Sequence, residues 1–230
     1  MGIAQKHSTA ILLFANSSQE ELKHKPIRQG RHLFNALTEH TLGLVQSSKL
    51  PYFHFSEEEQ KGDTFGERFV SAIKTVFDQG YEHIITLGND TPQLELSHIL
   101  EAHSKLQYQK FVLGPSQDGG FYLMGLHKSQ FDADQFQRFS WQTSHLIEEV
   151  SSFAGSKGAE VIWLSSLFDV DSLIDIKKLL RHSHGLSKRL LHLFHRLLRG
   201  STLILSACRM LIDSLLLKNH LNKGSPYYSL

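Results

Sequence analysis

Short apolar runs alternate with segments of helical apolar spacing along the first 180 residues. A continuous apolar run bounded by turn residues is typical of a buried strand, and such runs predict strands at residues 10–14, 51–55, 83–87, 110–114, 121–126 and 161–164. Apolar residues three and four apart predict helices at residues 31–45, 69–77, 97–106, 144–153 and 172–180. Strands that alternate with helices predict an α/β fold with a largely parallel central sheet flanked by helices.

Residues 184–230 follow a different pattern, and we expect them to form a helical extension to a domain of residues 1–183. Leucine and phenylalanine side chains lie on one face of its first helical segment. The opposite face carries the basic residues Lys188, Arg189, Arg196 and Arg199. A second apolar segment, residues 203–217, contains two charges and is shorter than the ~20 residues that cross a bilayer. The apolar faces need a neighbour: the domain, a second copy of the chain or an anionic membrane surface.

Composition narrows the class of protein. Apolar residues make up 40% of the chain and the formal net charge is only +1, which excludes overall disorder. The single cysteine excludes a disulfide scaffold and a zinc site built on several thiolates. No secretion signal opens the chain, so we expect a cytoplasmic protein. Its basic extension is expected to pack on the domain or on a second copy, and peripheral membrane contact is the alternative. No motif that reads nucleic acid is present, and we expect no nucleic-acid partner.

Acidic residues follow three of the predicted strands. Asp90 comes after the strand at 83–87, Asp118 stands between two strands, and Asp169 and Asp171 follow the strand at 161–164. Ligands of open α/β sheets bind at the carboxyl ends of strands, where such residues would converge. Carboxylates at this edge suit Mg²⁺ or Mn²⁺ together with substrate phosphates. Aspartate is also favoured in turns and helix caps, and that simpler interpretation stays open for each residue.

Four motifs in a fixed order add a family resemblance. They are Leu87-Gly-Asn-Asp-Thr-Pro-Gln-Leu94, Val112-Leu-Gly-Pro-Ser-Gln-Asp-Gly-Gly-Phe-Tyr-Leu-Met-Gly-Leu126, Trp141-Gln-Thr143 and Asp169-Val-Asp-Ser172. The set resembles the small bacterial glycosyltransferase-like proteins of the GT-A fold, associated with radical-SAM or selenodomain proteins, in the nucleotide-diphospho-sugar transferase superfamily. The segment Phe65-Gly-Glu-Arg-Phe69 is similar to the Leu-Gly-x-Arg element of that family. The resemblance covers roughly residues 9–181.

The resemblance implies a metal-dependent glycosyltransferase that uses a nucleotide-diphospho-sugar donor and an unidentified acceptor. It implies Asp90 and Asp171 as ligands of a divalent cation, Mg²⁺ or Mn²⁺, and Asp118 as the catalytic residue. The substrate-binding residues it implies are Arg68, Asn89, Gly119, Gly120, Trp141 and Thr143. Removal of Asp90 is then expected to weaken metal binding and to leave the free protein equally or slightly more stable, because neighbouring carboxylates repel one another.

One loop departs from the family pattern. After the first strand, relatives have Lys-x-Pro-x-x-Gly-x-x-Lys-Thr-Arg-Leu, whereas this chain has Asn16-Ser-Ser-Gln-Glu-Glu-Leu-Lys-His-Lys25. Glu20 and Glu21 bring negative charge where phosphates would lie. Nearby cations could replace the lost phosphate contacts or simply pair with the glutamates: Lys23, Lys25, Arg28 and Arg31. Two alternatives therefore stand beside the glycosyltransferase: a nucleotidyltransferase of related fold, and a non-catalytic binding protein.

Overall fold

The fold is known from a computed structural model that describes residues 8–182 and 184–199. The strands are β1 (Thr9–Phe14), β2 (Tyr52–Phe55), β3 (His83–Leu87), β4 (Phe111–Pro115), β5 (Phe121–His127) and β6 (Val161–Trp163). They form one sheet in the order β2-β1-β3-β5-β4-β6. Strand β5 runs antiparallel to β3 and β4, and the other described pairings are parallel. The predicted α/β fold with a largely parallel sheet is confirmed.

Helices follow most of the strands. They are α1 (Ser18–His24), α2 (Gly30–Ser47), α3 (Phe65–Asp78), α4 (Leu96–Leu106), α5 (Ala133–Gln137), α6 (Leu146–Ser156) and α7 (Leu173–Arg181). Thr64 and Glu67 form a capping box that starts α3, and the Ser172 hydroxyl accepts bonds from the first turn of α7. The sequence pattern does not predict α1 or α5, which have seven and five residues and little apolar periodicity.

Two apolar layers cover the sheet. On one face, Phe69 and Ile73 of α3 pack with Met124 of β5 and Val150 of α6. On the other face, the layer under α4 contains residues such as Ile11, Ile85, Ile99, Val112 and Leu123. Strands β1 and β3 are buried on both faces, which explains their uninterrupted apolar runs.

The helical extension begins with a helix, α8 (residues 188–199), that packs on the domain. Leu190, Leu193, Phe194 and Leu197 are buried against α2 and α7. Arg189 Nη2 also lies 2.6 Å from Glu39 Oε2 of α2. The domain itself therefore covers the apolar face of α8. The predicted second helix, residues 203–217, lies outside the described residues, and the division at residue 183 stays a prediction.

Among residues 8–182 and 184–199, no helix is both long enough and apolar enough to cross a bilayer.

Candidate functional site

A cleft of about 600 Å³ lies at the carboxyl ends of β1, β3, β4 and β6. Ligands of open α/β sheets bind at this edge. The cleft joins segments that are far apart in the sequence. Of the predicted site residues, those that line it are Arg68, Asn89, Asp90, Asp118, Gly120, Trp141, Thr143 and Asp171.

Lys25 connects the two aspartates that the family resemblance implies as metal ligands. Its Nζ atom lies 2.8 Å from Asp90 Oδ2 and 2.8 Å from Asp171 Oδ1. Glu21 Oε2 lies 3.5 Å from the same ammonium group. Burial alone would lower the pKa of Lys25, but the negative charges of Asp90, Glu21 and Asp171 raise it above its ordinary value. Lys25 is therefore charged, and it bridges two carboxylates from distant segments of the chain.

The short helix α1 sets the position of Lys25. Ser17 caps the first turn of α1, and its N–H and hydroxyl donate to the Glu57 carboxylate at 2.7 and 2.5 Å. At the other end, the Lys25 N–H donates to the Glu21 carbonyl. Pro26 follows and cannot continue the helix, because it has no N–H to donate. The side chain of Lys25 thus leaves from a fixed helix end and is only 19% exposed.

The turn that carries Asp90 and the segment that carries Asp171 are tied together. The Val170 N–H donates to the Asp90 carbonyl at 2.9 Å, and Thr91 Oγ1 donates to Asp169 Oδ1. Burial raises the pKa of Asp169 to about 8, and the neighbouring charge of Asp90 adds to the shift. Carboxylates from two distant segments therefore share one wall of the cleft.

Asp118 is held within the turn between β4 and β5. Its Oδ1 accepts hydrogen bonds from the Ser116 hydroxyl at 2.5 Å and from the Gly120 N–H at 3.0 Å. The Ser116 N–H donates in turn to the Gly120 carbonyl at 3.1 Å. The turn thus presents the carboxylate of Asp118 to the cleft in a fixed orientation.

Gly119 is not among the residues that line the cleft, although its neighbours Asp118 and Gly120 are. A Cβ at this position would lie 2.4 Å from the Ser144 carbonyl oxygen, and the backbone has a φ of +95°. Glycine at 119 is therefore explained by the close approach of the Ser144 loop and by a positive φ. The sequence predicts a glycine here because a substrate approaches the backbone, whereas the structure explains the glycine by the approach of Ser144.

Aromatic side chains form a second part of the cleft lining, which we call the aromatic wall. It consists of Phe14, Phe65, Phe69, Phe121 and Trp141. The ring centroid of Trp141 lies 5.3 Å from that of Phe65 and 5.1 Å from that of Phe69. Rings at this spacing attract one another edge-on or tilted, which makes the wall rigid.

Trp141 is fixed by contacts from three sides. Its Nε1–H donates to the Phe136 carbonyl at 2.7 Å. A Cβ at Gly66 would lie 2.7 Å from Trp141 Nε1, so a glycine in α3 makes room for the indole. The preceding Ser140 donates from its N–H and its hydroxyl to the Glu149 carboxylate of α6, both at 2.7 Å. These hydrogen bonds lower the pKa of Glu149.

Three other predicted residues line the cleft while their side chains bond elsewhere. Asn89 is buried, and its Nδ2 donates to Thr38 Oγ1 of α2 at 2.8 Å. Arg68 Nη1 donates to a carbonyl of the preceding loop at 3.1 Å. Thr143 Oγ1 donates to a carbonyl of its own loop at 2.7 Å. Arg68 is a cationic group of the cleft in addition to Lys25.

The carboxylates do not fit a divalent cation as they are arranged. Such a cation needs oxygens of Asp90 and Asp171, and one oxygen of each is already in contact with the Lys25 ammonium. Among residues 8–182 and 184–199, no group of three or more His, Cys, Asp or Glu side chains could hold a metal. The metal-ligand roles of Asp90 and Asp171 therefore rest on the motif resemblance alone.

Sequence reasoning missed part of the cleft. It left Lys25 open between a phosphate contact and a surface ion pair, and it did not connect this lysine with Asp90. The sequence places Lys25 shortly after Glu20 and Glu21 and directly before Pro26, and none of these neighbours points to Asp90. It also missed Phe14 and Phe121 as parts of the aromatic wall, although each flanks a predicted motif.

A family profile described as "Uncharacterized protein conserved in bacteria (DUF2064)" matches residues 34–143. That segment is therefore similar to this family. The matched segment contains Arg68, Asp90, Asp118 and most of the aromatic wall. Lys25 and Asp171 lie outside the segment. No curated protein matches the sequence.

Solved structures resemble this domain in fold. A "putative nucleotide-diphospho-sugar transferase" from Desulfovibrio desulfuricans has a TM-score of 0.74 and 22% identity, and the match covers 84% of this chain and 98% of that one. The 4-diphosphocytidyl-2C-methyl-D-erythritol synthase of Anaerococcus prevotii has a TM-score of 0.50 and 11% identity, over 74% and 95%. At these identities the similarity establishes the fold, which confirms the predicted GT-A-like architecture.

Proposed function

We propose that this protein is a glycosyltransferase whose donor is a nucleotide-diphospho-sugar. One observation carries the proposal: the cleft combines an aromatic wall with Asp118 and two cationic groups at the carboxyl edge of the sheet. A nucleobase stacks on aromatic rings, and phosphates need positive charge. The fold shared with the Desulfovibrio protein supports the same class of donor.

Each part of the donor has a matching part of the cleft. The base lies against the aromatic wall, and the diphosphate lies toward Lys25 and Arg68. The sugar then lies near the turn of Asp118 and Gly120. The presence of aromatic rings, two cationic groups and Asp118 in one cleft supports this assignment.

Asp118 is the proposed catalytic residue. In the transfer, the bond between the anomeric carbon and the diphosphate oxygen breaks, and the nucleoside diphosphate leaves with the electron pair. The acceptor hydroxyl oxygen bonds to the anomeric carbon, and Asp118 takes its proton. Ser116 and Gly120 orient the carboxylate for this step through their bonds to Oδ1. The positive charge of Arg68 favours the departing diphosphate, and Lys25 offsets part of the negative charge of Glu21, Asp90 and Asp171 beside it.

A calorimetric titration with a panel of nucleotide sugars tests the proposal, with Mn²⁺ or Mg²⁺ in one series and a chelator in another. At least one nucleotide sugar is expected to bind, and Asp118→Asn is expected to keep binding and lose transfer. The asparagine retains an oxygen that accepts from Ser116 and Gly120, so the turn stays intact. Absence of binding by every nucleotide sugar in both series would contradict the proposal.

The likeness to the Anaerococcus synthase favours a second candidate, a nucleotidyltransferase. The products separate the two activities. A glycosyltransferase releases a nucleoside diphosphate from a nucleotide sugar, whereas a nucleotidyltransferase releases pyrophosphate from a nucleoside triphosphate and a phosphorylated acceptor. A protein that binds the nucleotide sugar and releases neither product is a binding protein.

A further inference from the structure

The two aspartates implied as metal ligands have a cation of the chain's own between them. Lys25 Nζ makes contacts of 2.8 Å with both Asp90 and Asp171, the usual length of a charge-assisted hydrogen bond. Lys25 and Asp90 are 65 positions apart in the sequence, and Lys25 and Asp171 are further apart. A chance surface pairing would not bring one ammonium to two segments that are themselves tied by the Val170–Asp90 hydrogen bond.

Lys25 is anchored where it lies. It is 19% exposed, it ends α1 directly before Pro26, and Glu21 of the same helix faces its ammonium at 3.5 Å. Glu21 is itself held, because its Oε1 accepts from Asn16 Nδ2 at 3.0 Å. To leave the aspartates, the ammonium would have to abandon three negative charges, and a nearby divalent cation would repel it.

We infer that the Lys25 ammonium replaces a divalent cation in this cleft, so that Asp90 and Asp171 position a lysine and do not bind a metal. Lys25 is a positioning and charge-supplying residue whose position depends on its two aspartates. The altered loop after β1 then has a physical explanation. The loop departs from the basic, glycine-containing pattern of the family that the motifs resemble, and the helix α1 that it forms delivers one cation to the carboxylates.

This inference deepens the proposed function, and it can be tested without any nucleotide. The probe is Mn²⁺ alone, and the readout is the fraction of free Mn²⁺ in its electron paramagnetic resonance spectrum. We expect wild type and Lys25→Arg to bind no Mn²⁺ at this cleft. Lys25→Met should gain a site about tenfold or more tighter than anything in wild type, because its carboxylates are uncompensated. Adding Asp90→Asn to Lys25→Met should abolish the gain.

Lys23→Met is the matched control. Lys23 lies on the same helix, is 63% exposed and pairs with Glu20 at the surface, so its removal deletes one charge and leaves Asp90 untouched. This control should behave as wild type. Circular dichroism shows whether Lys25→Met is folded. A folded Lys25→Met protein that gains no Mn²⁺ binding would overturn the inference. A wild-type protein that binds Mn²⁺ as tightly as Lys25→Met would overturn it as well.

A measurement on wild type alone covers the case in which Lys25→Met does not fold. A ligand that binds only the folded state raises the unfolding temperature. If wild type binds no Mn²⁺, its unfolding temperature should be the same in Mn²⁺ and in chelator. An increase with Mn²⁺ would overturn the inference. The proposed function and the Lys25 inference can fail separately. Nucleotide-sugar binding that requires Mn²⁺ would support the proposed function and overturn the Lys25 inference. Absence of nucleotide-sugar binding would contradict the proposed function and leave the Mn²⁺ results unaffected.

Discussion

The ammonium of Lys25 lies 2.8 Å from Oδ2 of Asp90, although 65 residues separate the two along the chain. The contact reverses an expectation drawn from the sequence. If Asp90 only faced other carboxylates, its removal would relieve repulsion and leave the free protein as stable or more so. With Lys25 beside it, Asp90 contributes attraction, and its removal leaves a partly buried cation with one partner fewer.

Asp90→Asn is therefore expected to lower the free energy of unfolding by about 1 kcal/mol, between the values for exposed and for buried ion pairs. Urea unfolding at neutral pH without divalent ions measures the change. Glu58→Gln, which neutralises an exposed carboxylate in the loop after β2, is the control and should differ little from wild type. An Asp90→Asn protein more stable than wild type would favour mutual repulsion of the carboxylates over the Lys25 pair.

The packing of Trp141 against Gly66 predicts that a methyl group added at position 66 displaces the indole. Gly66→Ala places a Cβ against Trp141, so the indole must move and nucleotide-sugar binding should weaken. In a Trp163→Phe background, Trp141 is the one remaining tryptophan, and its fluorescence reports the displacement. Gly43→Ala is the control, because a Cβ there meets nothing within 4 Å, and it should add about 0.5–1 kcal/mol of helix stability. Unchanged Trp141 emission in Gly66→Ala would contradict the described packing.

The Ser140–Glu149 contact predicts a pH dependence of stability. Hydrogen bonds from the Ser140 hydroxyl and N–H lower the pKa of Glu149 below its ordinary value of 4.5. A group with a lowered pKa in the folded state stabilises it fully above the unfolded value, and the contribution is lost as pH falls through the folded pKa. Glu149→Gln should therefore be less stable than wild type at pH 7.

The same pair of proteins should approach equal stability in acid. The difference in unfolding free energy between wild type and Glu149→Gln is expected to shrink as pH falls below about 4.5. Glu148→Gln, an exposed neighbour on α6, should show no such trend. A difference for Glu149→Gln that grows in acid would contradict the hydrogen-bonded carboxylate.

Helix α8 should behave as part of the domain. Phe194 is fully buried between α2 and α7, so Phe194→Ala is expected to cost about 3–5 kcal/mol of unfolding free energy. His195→Ala, on the exposed side of the same helix, should cost little. Phe194→Ala with wild-type stability would show that α8 packs elsewhere.

Cosedimentation with anionic vesicles tests whether the basic face of the helical extension binds a membrane surface. Because the apolar face of α8 is covered, cosedimentation with anionic vesicles should not depend on Leu190, Leu193 and Phe194. Attraction through the basic face would instead weaken with salt and with charge removal at Lys188 or Arg196. Vesicle binding that disappears in an otherwise folded Leu193→Ala protein would contradict the packing of α8.

The fold was largely predictable because most strands are buried on both faces and so appear as uninterrupted apolar runs. The antiparallel direction of β5 was not, because a short strand after a Gly-Gly turn has the same pattern in either direction. Helix α1 was missed because Leu22 is its one large apolar residue.

The candidate site was predictable where residues follow strand ends. Asp90, Asp118 and Asp171 were located in this way, and the parallel strands bring them to one cleft. The Lys25 contact was not predictable, because motif spacing carries no information about an ion pair across 65 residues. Gly119 shows the reverse case, in which the residue was noticed and its physical reason, the Ser144 backbone, was not.

The most direct test of the account is a crystal structure of the wild-type protein grown with Mn²⁺ in excess, with anomalous diffraction data collected to locate the metal. The account predicts no anomalous peak between Asp90 and Asp171, and a Lys25 Nζ within hydrogen-bonding distance of both carboxylates. A manganese peak bound by Asp90 and Asp171, with the Lys25 side chain displaced from the cleft, would contradict it.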